Sequence, residues 1–344
     1  MTRSKMHEEI REQPEVLRRI LEDGWNEVKS AGHTLRDRGL RSAMISARGT
    51  SDNAACYAKY LFEVLLGIPV SLAAPSVFTL YESRVDLGET LVIGISQSGE
   101  SRDILETVRQ SKAFGATTLT ITNNEDSSMA GAADKHLFLR AGEEESVAAT
   151  KTYTAQLLVL YLLVAALNGE ETLGEEVMSL PEEAARVLES EWEGVERYRY
   201  ADHLVVTSRG YNLATAQEAA LKLMETTYVV SQPFSAADLE HGPMAMIGKD
   251  FPVVAIVPPG KVRPRLGELL DSLNEKGAEV AVIADDGNLT QAAPASFLVP
   301  VSCSEELSPI LYAIPPQVLA HDLSISKGLD PDSPRGLTKV TETW

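Results

Sequence analysis

Ser96, Gln97, Ser98 and Ser101 place three hydroxyls and an amide within six positions, around Gly99. Residues 91–95 are an apolar run containing Gly94, which reads as a short buried strand. Ile104, Leu105 and Val108 then recur at helical spacing, so residues 96–101 are a strand-to-helix turn. The first turn of such a helix offers unpaired N–H groups, and its dipole favours negative charge, so the segment suits a bound phosphate. A serine N-cap followed by a tight glycine turn is the ordinary alternative. One cap uses a single hydroxyl, and the surplus favours a phosphate cradle.

Other candidates lie in both halves of the chain. Arg48-Gly49-Thr50-Ser51 is a turn that opens another helix. In a doubly wound sheet its hydroxyls can reach a ligand at the carboxyl ends of the strands, although an N-cap would by itself explain Ser51. The segment Val147-Ala148-Ala149-Thr150-Lys151 begins a helix and can line the same crevice with backbone groups. Glu218, Lys222 and Glu225 stand at i, i+4 and i+7, on one face of a helix over residues 214–226. An exposed charged stripe would share that spacing. The neighbours Ala219, Ala220, Leu221, Leu223 and Met224 instead suggest a helix apolar nearly all round, in which a buried carboxylate must be paired or useful. Glu225 is the candidate general base. His241 stands before Gly242-Pro243; imidazole as a class exchanges protons near neutral pH and suits the opening of a sugar ring, whereas a lone loop histidine is ordinarily just a surface residue. Lys339 sits in a tail, and tails usually fray; folded over the crevice, it becomes an amine nucleophile.

The elements that must carry these residues alternate strand and helix from residue 42 onward, which predicts parallel, doubly wound α/β sheets. A shift of 161 positions lays Arg48-Gly49 on Arg209-Gly210 and Gly99 on Gly260, so the two halves are copies of one flavodoxin-like unit. The second copy reads Val257-Pro258-Pro259 at the turn that matters. Proline removes a donor and no hydroxyl replaces it, so only the first copy keeps a cradle. A helical stretch over residues 153–192, broken near Asn168-Gly169 and again at Pro181, reads as a connector. Its apolar run over 157–167 is too short to span a bilayer and reads as a buried helix. The expected organisation is a helical lead-in over 1–33, interrupted by Pro14, then domains over 34–168 and 195–332. A connector over 169–194 and a closing tail over 333–344 complete it.

Composition bounds what such a chain can bind. Its 344 residues allow two domains with their own cores, and 50 acidic against 31 basic residues give a net charge of −19. That surface repels nucleic acid and anionic lipid, so a phosphorylated small molecule must be held by local donors. Two cysteines, Cys56 and Cys303, both in apolar runs, suggest buried thiols and a reducing cytoplasm, and residues 1–13 lack the pattern of a cleaved leader.

Taken together and in order, the motifs resemble a known family. They are Arg-Gly-Thr-Ser at 48–51, Ser-Gln-Ser-Gly-Glu-Ser at 96–101, Ala-Ala-Thr-Lys at 148–151, Ala-Leu-Lys-Leu-Met-Glu at 220–225, His-Gly-Pro at 241–243 and Leu-Thr-Lys-Val-Thr at 337–341. They are similar to the tandem sugar isomerase (SIS) domains of glucosamine-6-phosphate synthase, and Glu9 to Pro14 looks like the segment entering that isomerase half. The resemblance implies that Ser96, Gln97, Ser98 and Ser101 take a phosphate, with Thr50 and Val147 helping to hold the sugar. It implies that Glu225 moves a proton between C1 and C2 with Lys222 assisting. His241 would open the ring from the partner subunit of a homodimer, and Lys339 would form or resolve an imine. No metal or organic cofactor is implied.

Departures from the family pattern shape the expectation. Arg48 stands where the synthase usually has Cys, Ala149 where it has Ser, and Glu240 where it has Lys. The chain opens Met1-Thr2 rather than on the cysteine nucleophile of a glutaminase domain, so no glutaminase activity is expected. The whole then looks like the stand-alone SIS-type glucosamine-6-phosphate deaminases, which yield fructose-6-phosphate and ammonia. A galactosamine-6-phosphate deaminase, a fructosamine-6-phosphate deglycase, an isomerase without nitrogen chemistry and a non-catalytic sugar-phosphate sensor are the competing readings.

Overall fold

Apolar runs too short for helices and buried on both faces become the strands of parallel sheets. In the computed structural model, which describes residues 4–339, there are two such sheets of five strands. The first contains β1 (Ser42–Ser46), β2 (Val70–Leu72), β3 (Thr90–Ser96), β4 (Thr117–Thr122) and β5 (Lys135–Phe138), in the order β2-β1-β3-β4-β5. The second contains β6 (His203–Ser208), β7 (Val230–Ser235), β8 (Pro252–Val257), β9 (Glu279–Ala284) and β10 (Ala295–Leu298), in the order β10-β9-β8-β6-β7. All strand pairs are parallel. Counted from the start of each copy, both sheets have the same order, as the 161-residue repeat requires.

That order fixes where a ligand can sit. The chain leaves β1 toward β2 on one side and returns to β3 on the other, so a crevice opens at the carboxyl ends of β1 and β3. Ser46 of β1 lies opposite Gly94 of β3. The turn 47–50 and the turn 97–101 therefore emerge side by side.

The described chain divides into two compact units whose segments interleave. One takes Glu15–Glu144, Lys151–Met178 and the tail from Thr338; the other takes the chain up to Pro14, Glu145–Thr150 and Ser179–Leu337. Pro14 is the second residue of the helix Gln13–Arg19, where a missing N–H costs nothing, and the break falls before it at Glu12.

At the centre of the first unit lies the helix Lys151–Asn168, buried at nearly every position. The buried helix expected from the run over 157–167, ending near Asn168, is there, but it is longer than that run and belongs to the unit's core rather than to a connector. The helix has 18 residues and the length and hydropathy of a membrane span, yet it is enclosed by protein and forms the core of the unit. Gly32 shows how closely it is packed, because a Cβ there would collide with the Ala166 side chain. A short helix spans Ser76–Thr79. Cys56 is buried as expected, but Cys303 is only half-buried.

In the second unit the helix Leu213–Thr227 packs on β6, on β7 and on the helix Ile314–Ser326. Beneath the sheet, Val205, Leu239, Ile247, Val253, Leu266 and Val282 belong to one apolar cluster.

Candidate functional site

The serine turn of the first unit is assembled around Gly99. Its φ of +71° is a left-handed conformation, and a Cβ at that position would strike the Ser127 side chain. Ser96, buried at the end of β3, uses its Oγ to accept from the Gly99 N–H (3.2 Å) and shares a hydrogen bond with Ser101 Oγ (3.2 Å). Ser98 Oγ accepts from the Glu100 N–H at 3.2 Å. Ser101 precedes the helix Arg102–Ala113 in extended conformation, yet its side chain makes no capping bond. The first-turn donors of that helix are thus uncapped by Ser101, and Gln97, Ser98 and Ser101 are half-buried around them. Ser96 shapes the turn, while the other three border it.

Arg48 and Asp103 join the two turns. The Arg48 Nε donates to Asp103 Oδ2 at 2.8 Å; the carboxylate is 1% exposed and the guanidinium 53%. Sequence reasoning counted Arg48 and Gly49 among the ligand-binding candidates and missed Asp103, which sits in the first turn after Ser101. Gly49, at φ +54°, leads into the helix Thr50–Leu61 without a side-chain cap, and Thr50 is half-buried. Ser51 points elsewhere: its Oγ accepts from Gln156 Nε2 of the central helix at 3.0 Å. Burial pushes the Cys56 thiol on this helix up to about 11, so it is an inert packing group. A groove of 790 Å³ runs along the Arg102 helix beside the serine turn, lined by Glu100 of that turn and by Arg102, Asp103, Arg109 and Ser128.

Lys339 belongs to the same unit as the cradle, and its Nζ donates to Glu144 Oε2 at 2.8 Å. Val340 and Thr341 of the tail motif, and Met1 and Thr2, lie outside the described residues. Val147 and Ala149 are half-buried and belong to the second unit. They precede a helix that starts only at Lys151, so the expectation that they begin it is corrected. Their segment is pinned by buried Glu9, whose carboxylate accepts from the N–H groups of Glu145 (2.5 Å) and Ser146 (3.2 Å).

In the second unit the expected charged face is real. Lys222 is 1% exposed and lies between two carboxylates, with Nζ 2.5 Å from Glu225 Oε2 and 3.4 Å from Glu218 Oε1. The helix is not buried all round, because Met224 is exposed. This matters chemically: Glu218 is enclosed, whereas Glu225 is 21% exposed and is the end of the triad that can meet a ligand. His241 follows the short helix Ala236–Glu240 on the surface, its N–H donating to Asp238 O. Among the described residues, no group of three or more His, Cys, Asp or Glu could hold a metal.

In the second copy the corresponding turn is filled by a side chain. Gly260 has φ +100°, but the Glu305 carboxylate fills the space beside it and accepts from the Lys261 N–H at 2.6 Å. An internal anion occupies the turn. The signal was in the sequence, since Glu305 is Glu144 displaced by the same 161 positions.

A family profile of the SIS domain matches residues 38–166 and 198–327. The chain is 37% identical over 341 residues to a glutamine–fructose-6-phosphate aminotransferase (isomerizing) of Methanothermobacter thermautotrophicus, covering 97% of this chain and 56% of that protein. It thus spans about half the length of the curated relatives it matches. Among solved structures, the C-terminal domain of glucosamine-fructose-6-phosphate aminotransferase from Francisella tularensis superposes with a TM-score of 0.83 at 27% identity, over 96% of this chain and 98% of that one. Glucosamine-6-phosphate deaminase from Thermotoga maritima shares the fold at 24% identity, with a TM-score of 0.79 over 99% and 100% of the two chains.

Proposed function

Because the chain belongs to the SIS-domain family and is homologous to the isomerase domain of the aminotransferases, we propose that it deaminates an amino-sugar phosphate, converting glucosamine-6-phosphate and water to fructose-6-phosphate and ammonia. The observation that carries this reading is the Lys222–Glu225 pair: a carboxylate held by a buried lysine and open to solvent at its other end. Such a group is suited to shuttling a carbon-bound proton, and a phosphate sensor has no use for it.

In this reading the sugar phosphate binds at the turn 96–101 through Gln97, Ser98, Ser101 and the N–H groups of the helix that follows. His241 of one chain of a homodimer opens the pyranose bound by the other. Glu225 takes the proton from C2 and returns it to C1 while the C1 carbonyl oxygen takes up a proton given up by the substrate's ammonium, which leaves an iminium at C2. Water adds to that carbon and ammonia leaves with the electron pair of the C2–N bond. In the covalent variant Lys339 Nζ bonds to C2 first, ammonia leaves, and water then releases the lysine as its ammonium and the sugar as ketone.

Arg48 favours one second reading. Its half-exposed guanidinium beside the cradle can meet a carboxylate, as an amino-acid adduct of fructosamine-6-phosphate would carry. Ammonia and amine release should be measured with glucosamine-6-phosphate, galactosamine-6-phosphate and fructoselysine-6-phosphate. The expected result is ammonia from glucosamine-6-phosphate in equal amount to fructose-6-phosphate. Free lysine from the adduct, with no ammonia from either hexosamine phosphate, would replace this reading with the deglycase.

A further inference from the structure

Glu144 is a fully buried carboxylate with a defined set of partners. It accepts from Thr152 N at 3.1 Å and from Thr152 Oγ1 at 2.8 Å, both in the first turn of the helix Lys151–Asn168. It also accepts from Lys339 Nζ at 2.8 Å, with the carboxylate 0% and the lysine 25% exposed. A buried carboxylate is costly unless its lone pairs are met, and here a helix N-terminus and a cation meet them. The acid is therefore fixed to the rigid core helix, and the lysine of the tail is fixed to the acid.

The loop that ends at Glu144 is tied to the cradle. Asn123, just after β4, donates its N–H to Gln97 O at 3.0 Å. Its side chain donates to Gly142 O (2.7 Å) and accepts from the Ala141 N–H (2.9 Å). The turns after β3, β4 and β5 thus form one hydrogen-bonded layer at the carboxyl edge of the first sheet. Gln97 stands at one end of it and Glu144 at the other. The second copy shows the contrast: its equivalent acid, Glu305, closes the turn at Lys261.

We propose that Glu144 is the positioning residue for Lys339: it carries the amine to the same sheet edge as the phosphate cradle, so that the amine faces C2 of the sugar anchored there. This rests on the reading of Lys339 as the imine-forming amine. Glu144 itself touches Lys339 and the core helix and acts on the sugar only through the lysine.

The test uses the full chain as wild type and as Glu144→Gln, Glu144→Asp, Lys339→Ala and, as a control on exposed acid, Glu145→Gln. Acetylation of each lysine by an amine-reactive ester is followed by peptide mass spectrometry, without substrate. Lys339 should react roughly tenfold faster in Glu144→Gln than in wild type, the scale of losing a charged hydrogen bond, and be unchanged in Glu145→Gln. In the ammonia assay Glu144→Gln should lose about 100-fold in kcat with KM preserved, as expected for a misplaced reacting group, and Glu144→Asp should recover part of it. Equal Lys339 labelling in wild type and Glu144→Gln overturns the proposal. So does full turnover in Glu144→Gln where Lys339→Ala is inactive, and that result leaves the function reading intact. Full turnover in Lys339→Ala, by contrast, removes the amine step itself and the proposal with it. Should Glu144→Gln fail to fold, Thr152→Val withdraws the second anchor of the same carboxylate and is read in the same two assays.

Discussion

At the scale of single residues, the groups that do chemistry are separable from those that hold them. Glu225 reaches solvent while Lys222 and Glu218 are enclosed, so under the proposed function the base role falls to the first and the other two hold it. Glu225→Gln should lower turnover by roughly 10²- to 10⁴-fold, the usual worth of a general base, while leaving hexose-phosphate affinity in calorimetry unchanged. Gly99 offers a second check. A Cβ there meets Ser127 and the backbone is left-handed, so Gly99→Ala should cost about 1–3 kcal/mol in urea unfolding and weaken phosphate-sugar binding. Unchanged binding in that variant would mean the serine turn is not the cradle. The serines, Glu225 and Lys222 were legible because residue type and spacing announce them. Asp103, Gln156 and Glu144 were not, because each gains its meaning from a partner that is 8 to 195 positions away and met only in the fold.

At the scale of elements, the strand expected over 91–95 is β3 (Thr90–Ser96), and the helix expected from 153 to a break near Asn168-Gly169 is Lys151–Asn168. Lys151, Thr152, Thr154 and Gln156 are polar yet buried, so the greasy run at 157–167 marks only the later part of the helix. The strand β5 carries a pH-sensitive contact, since His136 Nε2 lies 2.9 Å from Thr122 Oγ1 of β4. Burial lowers the His136 imidazole from its ordinary value of 6.5. Below that value the unfolded chain takes up a proton that the folded chain resists, so stability is lost as pH falls from 6.5 toward the lowered folded value, and nothing is lost above it. Urea midpoints compared at pH 7.5 and 5.5 should fall more for wild type than for His136→Gln. Equal falls would show that the histidine is not linked to folding.

At the scale of the whole molecule, the duplication was readable as a shift and returned as two sheets of one strand order. The interleaving of segments between the units was not readable, because composition is continuous across Pro14, Glu144 and Thr150. Only one copy can hold phosphate on this account, since Glu305 fills the turn of the other. Calorimetry with a hexose phosphate should give one site per chain, weakened in Gly99→Ala and kept in Glu305→Gln; two equivalent sites would contradict that asymmetry. The proposed sharing of His241 across a homodimer has its own test. Mixing inactive His241→Ala with inactive Glu225→Gln should restore turnover through hybrid dimers, and no recovery on mixing would confine His241 to its own chain.

The measurement that bears most directly on the central claim is ammonia release from glucosamine-6-phosphate by wild type and by Glu225→Gln, with sugar binding followed in parallel. The account predicts one ammonia per fructose-6-phosphate from wild type, and tight binding with almost no turnover from the variant. A wild-type protein that binds the sugar and releases no ammonia, or a variant that turns over as fast as wild type, would contradict it.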